Sequence, residues 1–168
     1  MLRLALVALI ATSACRLSLD DDNDDGAPPT DGGRLCKVVT DVQSCVDATS
    51  NQSLSWIEQN IFTQNCGSPA CHSPGAGGSA PSGRIVLTTA SHDKLLNASN
   101  MLASGVKLVV PNNVNQSYLM VLMRHLTPEQ AGLPIPARGA YMPLGTGPVC
   151  CQKLDSLERW IMAGAPNN

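Results

Sequence analysis

Residues 66–72 read Cys-Gly-Ser-Pro-Ala-Cys-His, so two cysteines are separated by four residues and a histidine directly follows the second. Ahead of this stretch, Ser53 can cap a helix that runs to about Asn65 with apolar residues at helical spacing. After it, residues 66–82 contain seven glycines or prolines and cannot form regular structure. The sequence therefore predicts that two thiols and an imidazole lie where a helix gives way to a loop.

Two thiols followed by an imidazole form the pattern that attaches a haem covalently. The sulfurs form thioethers with the ring edge, and the histidine binds the iron from one side. The usual spacing between the cysteines is two residues, so the longer loop between Cys66 and Cys71 has to bulge. The same cysteines could instead close a short disulfide, which would leave His72 as an exposed loop residue. The motif predicts a haem held by Cys66, Cys71 and His72.

The composition agrees with a domain built around a bound group. Aromatic residues make up only 3% of the 168 residues, and the chain contains 14 glycines and 12 prolines. A core so poor in rings and so rich in loops is easier to build when a cofactor fills its centre. The net charge of −2 gives no reason to expect a nucleic-acid partner.

The chain beyond residue 66 predicts short helices joined by long loops. Apolar periodicity and capping residues predict three further helices, over residues 91–102, 116–126 and 149–163. Gly164 and Pro166 are expected to end the last of them. Residues 84–88 could form a short strand, but nothing in the chain clearly pairs with it. The pattern indicates an all-α fold.

Four stretches accompany the cysteine–histidine motif in a fixed order. They are Phe62 four residues ahead of Cys66, the turn and helix start at residues 110–119, the loop Gly139-Ala140-Tyr141-Met142-Pro143, and the ending Leu157 to Pro166. With these, residues 53–168 resemble single-domain c-type cytochromes, especially the cytochrome-c-like domains of bacterial lipoproteins. The resemblance implies a cytochrome c-like fold with short helices and long loops around one covalent haem c. In that fold the last helix crosses the first, so Trp160 is expected to contact the face that carries Trp56 and Phe62.

The resemblance also implies the second iron ligand. A methionine before proline in the family's ligand loop offers its thioether to the iron, which assigns Met142 opposite His72. A soft thioether favours ferrous iron and raises the reduction potential relative to two histidines. His125, at the end of a predicted helix, could replace Met142, whereas His92 is expected to face solvent.

These assignments predict a one-electron carrier rather than an enzyme. The expected partners are a redox protein and a membrane, and the chain is expected to act as a monomer. A peroxidase or gas sensor would require that Met142 not bind the iron. A haemless, disulfide-stapled surface lipoprotein that serves as a binding or structural module is the other alternative. No arrangement of Ser, His and Asp or of paired carboxylates supports hydrolytic catalysis.

The N-terminal residues predict export and lipid attachment. Residues 1–14 resemble a bacterial lipoprotein signal peptide, with an apolar run too short to span a bilayer and Cys15 as the acylated residue. A plain secretory signal is the alternative. Residues 15–34 hold six of the 13 acidic residues and are expected to form a disordered linker. The predicted location is the cell envelope, anchored in the periplasm or at the outer membrane.

Four cysteines remain for an extension over residues 35–52. In an oxidising compartment Cys36 and Cys45 are expected to bridge to Cys150 and Cys151, in either arrangement. A Cys36–Cys45 bond beside a free or vicinal pair is also possible. A zinc site built from all four thiolates is disfavoured because adjacent cysteines are poorly placed to share one tetrahedron.

Overall fold

The computed structural model describes residues 35–69, 71–74, 85–97, 106–133 and 141–168. The signal peptide, the acylated Cys15 and the acidic linker of residues 15–34 lie outside these ranges. Regular structure within them is helical, and residues 85–88 of the possible strand adopt no strand conformation. None of the helices in the described ranges is long and apolar enough to cross a bilayer.

The helix ahead of the cysteine–histidine motif is continuous but not uniform. It consists of α2 (Leu54–Ile57), a π-helical turn π1 (Glu58–Phe62) and α3 (Thr63–Asn65). The predicted cap at Ser53 is confirmed, because its hydroxyl accepts a hydrogen bond from the backbone N–H of Trp56 at 3.3 Å. The π turn was not predicted from the sequence. Its wider winding turns two successive residues, Ile61 and Phe62, onto the buried face.

The middle of the chain forms two short helices. They are α4 (His92–Asn97) and α5 (Tyr118–Met123). Helix α5 begins two residues later than predicted because the hydroxyl of Ser117 bonds to the preceding turn instead. It accepts from the N–H of Val110 at 2.9 Å and donates to the carbonyl of Asn113 at 2.7 Å. Residues 98–102, where the sequence extends α4, lie outside the described ranges.

The last helix, α6, spans Cys151–Met162. The predicted stop at Gly164 is confirmed, since this residue adopts the left-handed conformation with a φ of 90°. The N–H of Gly164 donates to the carbonyl of Ile161 at 3.0 Å, and that of Ala165 donates to Trp160 at 2.9 Å. This pair of bonds is the Schellman motif, which satisfies the carbonyls at the end of a helix.

The core lies between α6, the α2–π1–α3 helix and α5. Helix α6 buries Leu154, Leu157, Trp160 and Ile161, and contacts α2 and α5. Trp160 and Phe62 belong to the same buried cluster, and Trp56 packs against it while partly exposed. The indole N–H of Trp160 donates to the carbonyl of Pro166 at 2.9 Å, so this large side chain is buried without an unpaired donor.

The extension over residues 35–52 is joined covalently to the start of α6. One disulfide links Cys36 to Cys151, and the other links Cys45 to Cys150. The extension also contributes a short helix, α1 (Gln43–Asp47). All four sulfurs are used, so none of these cysteines remains for the four-thiolate zinc alternative.

Hydrogen bonds also join the extension over residues 35–52 to α6. The backbone N–H of Cys151 donates to the carbonyl of Lys37 at 3.0 Å, and the amide of Gln152 donates to the carbonyl of Val39 at 2.6 Å. The guanidinium of Arg159 reaches the carbonyl of Ala48 at 2.6 Å. The extension is therefore held against α6 by hydrogen bonds as well as by the two disulfides.

We expect removal of one disulfide to destabilise the domain. Replacing Cys36 and Cys151 together by serine opens a loop of 115 residues and should lower the free energy of unfolding by about 2–5 kcal/mol. Urea unfolding followed by tryptophan fluorescence measures this change. Because both partners are replaced, neither cysteine of this disulfide is left as a thiol that could exchange with Cys45–Cys150. An unchanged unfolding midpoint would mean that the Cys36–Cys151 disulfide does not constrain the unfolded chain.

Candidate haem site

The cysteine–histidine loop folds back on the end of its helix. The N–H of Cys66 still donates to the carbonyl of Phe62 at 2.8 Å, as in a helix. The carbonyl of Cys66 then accepts the N–H of His72 at 3.1 Å, and the N–H of Cys71 donates to Ser68 at 2.9 Å. The described residues between the cysteines, Gly67, Ser68 and Pro69, thus form a bulge, and Ala70 lies outside the described ranges. Cys66 and His72 remain hydrogen-bonded neighbours despite the wide spacing.

Glycine is required at the first position of the bulge. A Cβ atom on Gly67 would lie 2.6 Å from the carbonyl oxygen of Thr63 and 2.8 Å from the Cγ2 atom of Thr88. The first of these neighbours is backbone and cannot move aside without distorting α3. The hydroxyl of Thr88 is itself buried and has no hydrogen-bond partner within the described ranges. Gly67 therefore allows the loop to pass close to both the helix and the segment around Thr88.

The two thiols of the motif differ in their surroundings. Cys66 is buried, Cys71 is partly exposed, and neither belongs to a disulfide. Burial raises the pKa of the Cys66 thiol to about 11, with a smaller contribution from the neighbouring Cys71. Cys66 is therefore a protonated thiol at neutral pH, held at the edge of the core.

The imidazole of His72 is oriented by a backbone carbonyl. Its Nδ1 atom lies 2.9 Å from the carbonyl oxygen of Ile85, and its own carbonyl accepts the N–H of Leu87 at 3.0 Å. Because a carbonyl can only accept, Nδ1 is the donor in this contact, and the neutral form of the ring therefore has its lone pair on Nε2. A histidine that ligates a metal is commonly held in this way, with its other nitrogen donating to a carbonyl or carboxylate.

Met142 lies at the carboxyl end of α5. Its N–H donates to the carbonyl of Leu122 at 3.1 Å, and its partly buried side chain packs against the core cluster that contains Cys66. Gly139 and Ala140, the first residues of the predicted ligand loop, lie outside the described ranges. The structure thus joins Cys66 and His72 by a hydrogen bond, whereas Met142 shares with Cys66 only its packing in the core cluster.

The other candidate ligand, His125, adjoins Met142. It has a φ of 56°, and its ring stacks on that of Tyr141 with the centroids 5.1 Å apart and the planes 10° from parallel. Burial lowers the pKa of His125, while a hydrogen bond to the backbone of Met142 raises it by a smaller amount. The Nε2 atom is buried and has no partner within the described ranges.

The expectation that His92 faces solvent is wrong. Its side chain is only 19% exposed, and its Nε2 atom lies 3.0 Å from the carbonyl oxygen of Ala165. Its Nδ1 atom lies 3.1 Å from a carboxylate oxygen of Asp93. The contact with Ala165 spans 73 residues of sequence, so local periodicity around His92 could not have predicted it.

Two further polar contacts join elements that are distant along the chain. Glu58, in the π turn, accepts the N–H of Ser91 at 2.7 Å, and Arg124 pairs with Glu158 at 2.7 Å. Neither contact could be predicted from the sequence, because each carboxylate and its partner lie on elements that are distant along the chain. No group of three or more His, Cys, Asp or Glu side chains within the described ranges is arranged to hold a metal ion.

A cavity of about 300 Å³ opens beside α5. Its lining, which includes neither the cysteine–histidine motif nor Met142, consists of Val114, Asn115, Met120, Val121, Arg124, Leu126, Gln130 and Ala131. The cavity is therefore separate from the candidate haem ligands.

No family model matches the chain, and neither the curated proteins nor the solved structures contain a match. What the site can do therefore follows from its own geometry and chemistry.

The close contact at Gly67 predicts that alanine is not tolerated there. Gly67→Ala should destabilise the haem-free fold and lower the yield of folded protein, because the added methyl group meets the carbonyl of Thr63. Gly147→Ala is the matched control, since a Cβ at Gly147 has no neighbour within 4 Å. Thermal unfolding by circular dichroism compares the two. Equal melting temperatures would contradict the close approach of the loop to α3.

The raised pKa of Cys66 predicts slow alkylation. At pH 8, a shift of the thiol pKa from 9.0 to about 11 lowers its thiolate fraction about 100-fold relative to the unfolded chain. In haem-free protein, iodoacetamide should therefore modify Cys66 far more slowly in the fold than in urea, as measured by peptide mass spectrometry. Since the folded pKa is the higher one, stability should also decline as pH rises from 9 towards 11. Equal alkylation rates in the two states would contradict the burial of this thiol.

Proposed function

We propose that the protein is an extracytoplasmic one-electron carrier with one covalent haem c. Cys66 and Cys71 would hold the ring through thioethers, and His72 and Met142 would bind the iron. When bound, the haem supplies reversible one-electron exchange between ferrous and ferric iron, with no bond chemistry on a substrate. The protein's own contribution is to supply ligands, to bury the ring and to leave an edge for a partner.

The hydrogen bond between His72 and Ile85 is the observation that carries this proposal. An imidazole in a loop at the protein surface has no need of a fixed tautomer. Here Nδ1 is committed to a backbone carbonyl at 2.9 Å, so Nε2 is the nitrogen with a lone pair to give. A carbonyl partner also fixes the ring plane and makes Nε2 a stronger donor to a metal. His72 would therefore hold the iron through Nε2, in the orientation that its contact with Ile85 gives to the ring.

The surrounding residues fit a covalent haem. Both cysteines of the motif stay outside the disulfides, although four other cysteines of the chain are fully paired. The bonds from Cys66 to His72 and from Cys71 to Ser68 set the bulged loop that the wide spacing requires. The hydroxyl of Thr88, next to Gly67, is buried and has no hydrogen-bond partner among the described residues, so it is a polar group that a cofactor could satisfy.

The two disulfides support an extracytoplasmic location. Disulfides persist in oxidising compartments and are rare where glutathione and thioredoxin keep thiols reduced. We therefore retain the proposals that residues 1–14 direct export, that Cys15 is acylated, and that residues 15–34 link the lipid to the domain. The partner would be a redox protein that meets the exposed haem edge.

A haemochrome spectrum combined with the intact mass tests the proposal. Protein exported by a host with cytochrome maturation genes should be red, should change its absorption on addition of dithionite, and should keep its haem after denaturation. His72→Gln should lose most of the haem absorption, whereas His92→Gln, which removes a histidine bonded to Ala165, should keep it. A Cys66–Cys71 peptide with the sequence mass minus two hydrogens would replace the proposal by the haemless module.

Carbon monoxide distinguishes the carrier from an open haem site. In the carrier, Met142 would bind the iron, so reduced wild-type protein should bind carbon monoxide weakly and Met142→Ala should bind it readily. Ready uptake by the wild type would favour a peroxidase or gas sensor. Absorption spectra recorded during carbon monoxide titration measure the difference.

A further inference from the structure

Four exposed apolar side chains lie on the extension over residues 35–52. They are Leu35, Val38, Val42 and Val46, and each is between 39% and 63% exposed. Only two other large apolar side chains within the described ranges are comparably exposed, and both lie far along the chain. Apolar side chains scattered singly over a surface are ordinary, whereas four in one short segment indicate a surface that something else covers. We call these four residues the extension face.

The two disulfides gather the extension face at one end of α6. Each of its four residues lies within three positions of Cys36 or Cys45. The Cα atom of Cys36 is 5.1 Å from that of Cys151, and the Cα atom of Cys45 is 6.2 Å from that of Cys150. Because Cys150 and Cys151 are consecutive residues, Cys36 and Cys45 are at most about 15 Å apart.

The contacts of the extension with α6 use other residues. Cys45 and Ala48 are buried, and the carbonyl of Ala48 accepts a hydrogen bond from the guanidinium of Arg159 at 2.6 Å. Val42 and Val46 are one turn apart, since the N–H of Val46 donates to the carbonyl of Val42 at 3.1 Å, and they are neighbours on the surface of α1. The extension face therefore stays exposed while the extension itself is held to the domain.

The extension face is too small to hold a stable protein partner. A stable interface buries about 800 Å² on each partner and involves about 20–30 residues a side. Four partly exposed aliphatic side chains supply only a small part of that area. A face of this size is sufficient only for a surface that another link keeps close, because a link lowers the entropic cost of association.

The N-terminal residues supply such a link. The described chain begins at Leu35, which belongs to the extension face. Residues 16–34 connect Leu35 to Cys15, the proposed site of acylation. A chain extends by at most about 3.6 Å per residue, so the domain can move no further than about 70 Å from the lipid. Binding within such a reach takes place at an effective concentration on the order of millimolar.

We infer that the extension face docks on the surface of the bilayer that holds the lipid of Cys15, an inference that rests on the proposed lipid attachment. The aliphatic side chains enter the boundary between headgroups and acyl chains. The charged residues of the extension are Lys37, Asp41 and Asp47, so it has no basic cluster for anionic lipids. The surface that it fits is therefore a zwitterionic phospholipid bilayer. Docking turns the end of the domain where α6 begins towards the membrane.

Photocrosslinking from within the bilayer tests the docking. The full acylated chain is incorporated into phosphatidylcholine vesicles in which a small share of the lipid carries a diazirine on its acyl chain. After illumination, mass spectrometry locates the lipid adducts along the chain. We expect adducts within residues 35–46 and none at Tyr141 or Met162, which are comparably exposed elsewhere.

Two variants separate the extension face from exposed apolar side chains in general. Val38→Ser/Val42→Ser removes two of its members, and serine remains a suitable cap for α1 at position 42. Half-exposed valines have about half of their burial free energy left to gain, so this variant should lower the docking equilibrium constant about tenfold or more, and the adduct yield with it. Met162→Ser is the matched control and should be labelled like the wild type. Circular dichroism and the masses of the disulfide-linked peptides establish that each variant is folded.

The adduct pattern separates failure of the docking from failure of the anchor. Acylated protein with adducts confined to residues 15–34, or centred on Met162, contradicts the inference and leaves the lipid attachment in place. Equal adduct yields from the wild type and Val38→Ser/Val42→Ser contradict it as well. An intact mass without acyl chains refutes the lipid attachment, and the inference falls with it. The haem spectrum reports separately on the proposed electron carrier.

A second copy of the chain is the other occupant that the experiment has to exclude. Protein exported with a plain secretory signal and carrying Cys15→Ser should sediment as a monomer. A dimer that Val38→Ser/Val42→Ser dissociates would assign the extension face to a second copy and overturn the membrane docking.

Discussion

The packing of α6 against the helix that precedes Cys66 is the contact on which the candidate site depends. The described helices are short, and isolated helices of fewer than about 12–15 residues are marginal in water. Their stability comes from the shared core, in which Trp160 and Phe62 are both fully buried. Because Cys66 is the residue after α3, the position of that core contact sets the position of the thiol. A domain without this contact would have no fixed starting point for the loop that follows.

From Cys66 onward, hydrogen bonds to backbone carbonyls fix the position of His72 and the orientation of its ring. The carbonyl of Cys66 receives the N–H of His72, and the ring of His72 is tied to Ile85. Each bond spans a longer stretch of sequence than the one before, so the site is assembled outward from the helix end. Met142 is reached by a separate route, through the last turn of α5. Within the described ranges, the candidate ligands are thus positioned by two different helix ends, those of α3 and α5, and both helices pack in the core.

Single residues with a clear chemical preference made some features of the fold predictable from the sequence. Ser53 carries its own acceptor for a cap, and Gly164 adopts a backbone conformation that other residues rarely take, so both helix ends follow from single residues. The π turn leaves no such mark in the composition of Glu58–Phe62. His92 was misjudged because its partner is the carbonyl of Ala165, which no nearby residue reveals. Features set by one side chain were thus accessible, whereas those set by distant backbone were not.

The same limit applies to the site. The sequence identifies the cysteines and the histidine as a motif, but the carbonyl of Ile85 that orients His72 lies 13 residues away and has no distinguishing side chain. The Cys36–Cys151 bond has a further, mechanical consequence. A pull between the two ends of the chain passes from residue 36 directly to residue 151, so residues 37–150 bear none of the tension. If the chain is tethered at its N-terminus, the region with the candidate ligands is shielded from forces on that tether.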